Sequence, residues 1–528
     1  MDMNFSALVE WLFGPDAKAP RHLAARWLFL RALGVIFFSA FYSLLFQIRG
    51  LIGPRGILPA VEYLAEVARE FGAQRIWYAP TVFWWSSGDR ALLAVCIAGL
   101  AASIFLILNV WPRVSIAVCL VAFCSFISAA QDFASYQSDG MLMAAGFVSL
   151  FFAPAGWRPR WGTFDPPSRA SRFLLVWLLF RIYFESGVAK ILGGDPEWRN
   201  FTAMDDYYQN GPLPTWIAWY AHHLPHAFHA ATAFLTLAVE LALISAVFLP
   251  RRARISIFCV ITPLQIGIIL TSNYAFLNYL VLVLGFLLLD DKFLARFLPR
   301  KWRIAIVPES ETAGAAPAGG RGWRYKLHLW VQAVFLSWIF YDTLALLILM
   351  LAPTFPLPRS PVVALEPFRV ANEFGLFAVM TRGRYEIEFQ GSNDGQTWTP
   401  YPFRYKPQDV HAAPGIYAPY QPRFDWNLWF ASLGNWRQYP FVVQVEVRLL
   451  EGDLDVLALF AGNPFPGHPP KEIRAVLWQY WFSDRKEKRE EGVWWRRERQ
   501  GLYAPALAYG PDGKLEILAM PNTPEVNP

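Results

Sequence analysis

Residues 330–352 read WVQAVFLSWIFYDTLALLILMLA, an apolar run whose only charge is Asp342. A helix that crosses a bilayer needs ~20 such residues, so this stretch predicts a membrane span. The chain beyond it differs in kind: from Arg369 the apolar residues come in short, alternating pieces. The region near residue 353 therefore divides a membrane part from a part of ordinary polarity. Working back from that boundary, eight more apolar runs appear, at about 27–48, 91–111, 114–131, 139–153, 173–190, 228–249, 255–271 and 275–290. Nine candidate spans result. The first is too long for the apolar core of a signal peptide, and no small-residue cleavage site is present between it and Arg49.

Composition points the same way. Of 528 residues, 55% are hydrophobic, 17% aromatic and only 17% charged, against roughly 25% charged in soluble domains. The formal charge of +6 is small and forms no Lys/Arg stripe, so no nucleic-acid partner is implied. Cys96, Cys119, Cys124 and Cys259 all lie inside apolar runs. The C-terminal third thus has neither a disulfide staple nor a C-x-x-C redox or zinc pair.

Lysine and arginine bias sets the orientation. Basic residues occupy alternate connections: Lys18, Arg21 and Arg26; Arg113; Arg158, Arg160, Arg169 and Arg172; Arg251, Arg252 and Arg254; and the long stretch 292–326. The connections between them, 132–138 and 272–274, have none. Nine spans satisfy every loop with the N-terminus inside and the C-terminal part outside. Of the two long outer connections, one holds an amphipathic helix over 57–71 and the other, 191–227, is rich in aromatic residues, proline and histidine. The expected organisation is a transmembrane bundle over 1–308, a flexible cytoplasmic linker over 309–329, a ninth span over 330–352 and an extracytoplasmic β-rich domain over 353–528.

Within that last region Arg384–Gln390 alternates like a strand, Asn393-Asp394-Gly395 supplies a turn, and Thr397–Tyr401 returns. Phe441–Leu450 reads as a further strand, Leu515–Leu518 as a last one, and Lys471–Phe482 as a helix. The fold class expected is an α-helical multi-span bundle carrying a sandwich-like α+β domain.

Ordered motifs then give a resemblance. Phe374-Gly-Leu-Phe377, Gly391-Ser392, Asp394-Gly395, Trp398, Tyr405-Lys-Pro407, Gln421-Pro-Arg423, Asp425-Trp426, Trp429-Phe-Ala431, Asn463-Pro-Phe-Pro466 and Tyr503-Ala-Pro505 resemble the lipase maturation factor family. So do Gly50-Leu-Ile-Gly53, Ser186-Gly-Val-Ala-Lys-Ile191, Trp198-Arg199, Trp219–Pro225 and Asn273–Asn278 in the bundle. Two places depart from the family: Gln137-Ser138-Asp139 with Ala144 beyond it, where the family has Gln-Trp-Asp and a later Glu, and Tyr420, where it tends to histidine. The resemblance implies a chaperone-like membrane factor that helps secreted lipases reach their active, assembled form. It implies a secreted lipase-like client and membrane lipids as partners, and no cofactor. The cognate membrane is that of the endoplasmic reticulum in a eukaryote and the plasma membrane in a bacterium.

Several polar groups invite a chemical role. Arg181 and Glu185 stand four residues apart, on one helix face, and can pair. Lys190, Asp195, Trp198 and Arg199 come next, and Asp139 joins Asp132, Tyr136 and Gln137 at the ends of the third and fourth spans, either as a polar vestibule or as helix caps. Ionisable residues within a span default to a functional hypothesis. Gly187–Ile191 is also similar to the segment of vitamin K-dependent γ-glutamyl carboxylase in which a lysine acts as base. That weaker resemblance implies an alternative: an intramembrane, carboxylase-like enzyme using Lys190 on a lipid or quinone-like cofactor. The competing reading of the same residues is helix packing with a snorkelling lysine. His222, His226 and His229 have metal-like spacing, but Pro225 interrupts them and no carboxylate lies within the cluster, so an interfacial belt is preferred to a metal site. Gln421, Arg423, Asp425, Trp426 and Trp429 are the client-binding candidates if exposed; if buried they are core, with Arg423 and Asp425 paired across a turn. A transporter reading finds no inverted repeat. The absence of a G-x-S-x-G elbow speaks against a lipase.

Overall fold

Long apolar runs in a membrane must satisfy their own backbone, which a helix does residue by residue. In a computed structural model that describes residues 5–16, 22–134, 136–297, 299 and 322–521, each expected run is helical. The principal helices are α1 (Leu23–Leu45), α2 (Ala60–Phe71), α3 (Asp89–Ile107), α4 (Pro112–Ala129), α5 (Gln137–Phe152) and α6 (Arg169–Leu192). They continue with α7 (His226–Leu241), α8 (Arg251–Thr271), α9 (Leu277–Gly285) and α10 (Trp323–Leu351). Five of these, α1, α3, α4, α8 and α10, are long and apolar enough to cross a membrane. The other four expected spans are helices of a different kind. α5 has 16 residues and α9 has 9, α7 passes into a 3-10 turn at Leu243, and α6 carries Arg181, Glu185 and Lys190. The linker expected over 309–329 lies outside the described residues as far as 321, and Trp323 already begins α10.

Small residues let the helices close. A Cβ on Gly99 of α3 would meet the Phe41 ring of α1 at 2.5 Å, and one on Gly187 of α6 would meet Glu240 of α7 at 2.8 Å. The second approach brings a carboxylate to Lys190.

The C-terminal unit is built on one antiparallel sheet of β1 (Arg384–Ser392), β2 (Thr399–Pro400), β3 (Glu472–Phe482), β4 (Trp495–Leu502), β5 (Ala506–Tyr509) and β6 (Leu515–Ala519). Strand order is β2-β1-β3-β5-β6, with β4 also on β3. β1 pairs with β3 from Arg384↔Tyr480 to Ser392↔Glu472. The turn after β1 is held by Asp394, whose carboxylate accepts the backbone N–H of Gln396 and Thr397 at 2.9 and 2.7 Å while Gly395 takes φ +69°. Those two bonds hold the Asp394 carboxyl down at about 2.

The expected sandwich takes another form. Among the described residues a second sheet does not face the first; helices α11 (Arg423–Ser432) and α12 (Phe441–Leu450) pack on β1 and β3 instead. The two segments 441–450 and 471–482 have exchanged the structures read from sequence. Phe441, Val442, Val445 and Leu449 are buried together, a spacing that suits a helix face as well as its β-branched content suits a strand. β3 is the central strand, and its buried residues pass from Ile473, Ala475 and Leu477 on one face to Tyr480 and Phe482 on the other, so no single alternation marks it.

One apolar core runs from the bundle into this unit without a break. Phe133 meets Phe441 edge to face at 5.5 Å, Tyr136 meets Trp426 at 5.3 Å, and Tyr274 meets Phe377 at 4.9 Å.

Glu446 of α12 is fully buried against the sheet, with no cation beside it among the described residues. Burial pushes its carboxyl well above the ordinary range. The native state therefore holds a proton that the unfolded chain gives up near pH ~4.3. Its contribution is full below that value and is lost as pH rises toward the folded value, at up to about 1.4 kcal/mol per pH unit. Glu446→Gln is expected to remove this slope and raise the melting temperature at neutral pH, as read by thermal unfolding of the detergent-solubilised protein across pH.

Candidate functional site

Residues 370–383, between the short helix at Ser360–Leu365 and β1, form neither helix nor strand. A backbone without a ladder must find partners elsewhere, and here it finds them on the bundle. Arg181 donates through Nη2 to Asn372 O at 2.6 Å and through Nε to Glu185 Oε1 at 2.6 Å. The second Glu185 oxygen accepts Phe374 N–H at 2.9 Å. Gln137 accepts from Gly375 N at 3.1 Å, and Ser186 Oγ from Leu376 N at 3.3 Å. Lys190 donates to Leu376 O at 2.9 Å, Trp198 Nε1 to Phe377 O at 3.0 Å, and Asp195 accepts Met380 N–H at 2.7 Å. Asn210 completes the series by donating to Thr381 O at 2.7 Å. The strap is thus fastened almost residue by residue.

The structure brings together seven of the polar residues singled out from sequence, Gln137 among them. Arg181, Glu185, Lys190, Asp195 and Trp198 hold the strap, and Asp139 stands one helix away. Arg199 lies apart, donating to Ile191 O at the surface. Lys190 is 2% exposed; its ammonium also meets Glu240 Oε1 at 3.0 Å and lies 5.0 Å from the centre of the Trp198 ring. The sequence shows Glu240 as a lone carboxylate in an apolar run, a signal of a buried partner but not of which one.

Two further fastenings involve the stretch before α11. Asn273 accepts Tyr417 N–H at 2.6 Å and Ala418 N–H at 2.9 Å, and donates to Gly415 O at 2.9 Å. Arg423 forms a two-pronged ion pair with Asp139, at 2.7 and 2.8 Å, and donates to Phe133 O at 2.7 Å. Both side chains are buried, and the Asp139 charge raises the guanidinium's affinity for its proton over the opposing effect of burial. The Arg423–Asp425 pair expected from sequence is not formed. Asp425 is buried near Lys406, and burial pushes its carboxyl up to about 7.

All five client-binding candidates, Gln421, Arg423, Asp425, Trp426 and Trp429, are buried, as the alternative reading of the run has it; Trp426 and Trp429 also line a cavity of about 580 Å³ at the seam between bundle and C-terminal unit. Its other walls are Tyr136, Gln137 and Asp132 beside α5, Pro212 and Tyr274 from bundle connections, and residues 375–379 of the strap. Phe430 and Val379 lie at this cavity and are exposed. The indole N–H groups of Trp426 and Trp429 and the Asn427 amide nitrogen have no partner among the described residues.

The histidine cluster gains a carboxylate that the local sequence does not contain. Asp205, from the helix Ala203–Asn210, accepts from His226 Nδ1 at 2.9 Å and His229 Nδ1 at 2.8 Å. Burial, with help from His223 and His229, lowers His222 to about 4 and keeps it neutral. Among the described residues no group of three or more His, Cys, Asp or Glu side chains is arranged to hold a metal ion.

Comparison with known proteins covers both halves of this seam. Residues 24–296 match the model of the lipase maturation factor transmembrane domain, and residues 370–505 that of the lipase maturation factor C-terminal domain. The chain is 31% identical to lipase maturation factor 1 of Bos taurus, over 91% of this chain and 88% of that protein. It is likewise 31% identical to lipase maturation factor 2 of Gallus gallus, over 94% of this chain and 82% of that one. Against lipase maturation factor 1 of Homo sapiens the identity is 29%, over 94% and 90%. No solved structure matches.

Proposed function

This chain belongs to the lipase maturation factor family, and from that premise we propose that it is an integral membrane maturation factor that holds a secreted lipase-like client while the client reaches its active, assembled form. The seam cavity carries this reading. It is aromatic, bounded by residues of both family domains, and flanked by three buried N–H donors without partners among the described residues. An apolar client side chain suits its aromatic walls.

For orientation we propose the N-terminus in the cytoplasm and the C-terminal unit on the side where secreted clients fold. In support, α4, α6 and α8 each carry arginine at one end, in Arg113, Arg169 and Arg251. At the other end each leads to a contact with the C-terminal unit, through Phe133, Lys190 and Asn273. That is the polarity of the positive-inside rule. The membrane is the one that secreted clients cross in the source cell: the endoplasmic reticulum or a bacterial plasma membrane.

Lys190 acts in this reading as a clamp on the strap, not as a base. Removing it alone leaves Glu240 buried without its cation, which destabilises by ~3–5 kcal/mol, whereas replacing both partners by apolar residues is often neutral. The test is coexpression with a secreted lipase. Lys190→Met/Glu240→Leu is expected to keep at least half the active lipase that the unaltered protein yields. Loss of active lipase at an unchanged level of the double variant overturns the clamp reading.

A further inference from the structure

A second cavity, of about 740 Å³, lies away from the seam, between α4, α5 and α10. Its floor is apolar, with Ala117 and Val121 of α4 facing Phe335 and Trp338 of α10. The two hydroxyls on its wall are already used: Thr81 donates to Ser125 O at 3.2 Å and Ser125 donates to Val121 O at 2.7 Å. Trp338 Nε1 donates to Pro361 O at 3.2 Å, and apart from the Trp77 indole the other lining side chains are apolar, so the occupant it fits is a hydrocarbon chain.

The surroundings say where that chain comes from. α4 and α10 are two of the five helices able to cross a membrane, so acyl chains, not water, bathe the groove. Across it the connection near residue 77 meets residues 365–370, with the Trp77 and Phe368 rings edge to face at 5.1 Å. Arg75 and Arg369 adjoin the lining residues Ile76 and Phe368 in sequence, and neither forms an ion pair with a carboxylate among the described residues. Arg75 lies over Trp84 at 5.0 Å, and Arg369 donates to Asn372 at 3.3 Å. Guanidinium groups carried on the segments that cover an apolar slot supply the chemistry that takes a phosphate above an acyl chain.

We propose that this groove binds an acyl chain of an anionic membrane phospholipid, with Arg75 and Arg369 taking its phosphate. The site is independent of the client reading, yet it touches the same machinery. Val370 lines the groove, and Asn372, two residues on, is the first point at which Arg181 grips the strap. A bound lipid therefore anchors the beginning of the segment that walls the client cavity.

The probe is phosphatidylglycerol carrying a diazirine on one acyl chain, with the same chain on phosphatidylcholine as comparison. Full-length protein in nanodiscs is irradiated and the adducts are mapped by peptide mass spectrometry. Adducts are expected to concentrate on the α4, α5 and α10 peptides that line the groove, and to fall at least fivefold in Ala117→Trp. Arg75→Gln/Arg369→Gln is expected to reduce the excess of phosphatidylglycerol over phosphatidylcholine severalfold while the adduct positions stay the same. Adducts spread evenly over lipid-facing positions such as Ile97, Phe105 and Phe234 overturn the proposal. So do adducts that persist in a folded Ala117→Trp, or a groove blocked by a copurified polypeptide. If Ala117→Trp does not fold, the adduct map of the unaltered protein decides alone.

Discussion

Arg423→Ala and Asp139→Asn are each expected to destabilise the folded protein by about 3–5 kcal/mol, because each leaves one partner of a buried ion pair uncompensated. The pair is built to be sensitive. Its two parallel N–H···O bonds lie within 2.8 Å, neither partner reaches solvent, and the same guanidinium also satisfies Phe133 O. It joins α5 of the bundle to α11 of the C-terminal unit, so its loss acts on the seam as a whole. Two observations separate this from a generic core defect. Limited proteolysis of either single variant is expected to cut the strap first, at 370–383, and Arg423→Met/Asp139→Leu is expected to recover most of the melting temperature. A single variant that melts like the unaltered protein contradicts the assignment.

The polar residues in the membrane half acquire a common explanation from the same geometry. A segment of irregular backbone pressed onto a bundle needs donors and acceptors at each step, and buried peptide groups left unpaired are strongly disfavoured. Arg181, Glu185, Ser186, Lys190, Asp195 and Trp198 supply them. Charged groups on a helix otherwise suited to a membrane are explained by what they hold.

Much of this was legible in the chain, and the limits have physical causes. The apolar helices could be read because apolar length is a local property, though only five of the nine expected spans are long and apolar enough to cross, and the Asp394-Gly395 turn because its chemistry lies within four residues. The Arg181–Glu185 pair could be read from one turn of helix. Period alone does not separate a helix from a strand in a short apolar run, which is why 441–450 and 471–482 were exchanged. Partners far apart in sequence leave no local trace. Lys190 and Glu240 are 50 residues apart, and Arg423 and Asp139 are 284 apart. For Arg423 the nearer carboxylate, Asp425, was the misleading choice. The histidine cluster shows the same limit, since Asp205 reaches it from another helix.

The seam cavity, proposed above as the client site, yields the second large effect. Val379 lies on its wall and is 61% exposed, so a larger side chain there meets little of the core. Val379→Trp is expected to fill the mouth beside Phe430, and Val379→Asp to place an unpaired charge against an apolar client surface, without disturbing the fold. Each is expected to lower the yield of active client about tenfold, equivalent to ~1.4 kcal/mol of lost client affinity when client is limiting. Truncating Trp426 or Trp429 is a poorer test, because removing a buried indole destabilises by ~3–5 kcal/mol in its own right.

The most direct measurement is therefore the specific activity of a secreted lipase coexpressed with Val379→Trp, read beside the abundance and melting temperature of the variant itself. The expected result is a variant as abundant and as stable as the unaltered protein, with lipase that is made but largely inactive. Full lipase activity from a cell whose only maturation factor carries the filled cavity would contradict a client site at the seam.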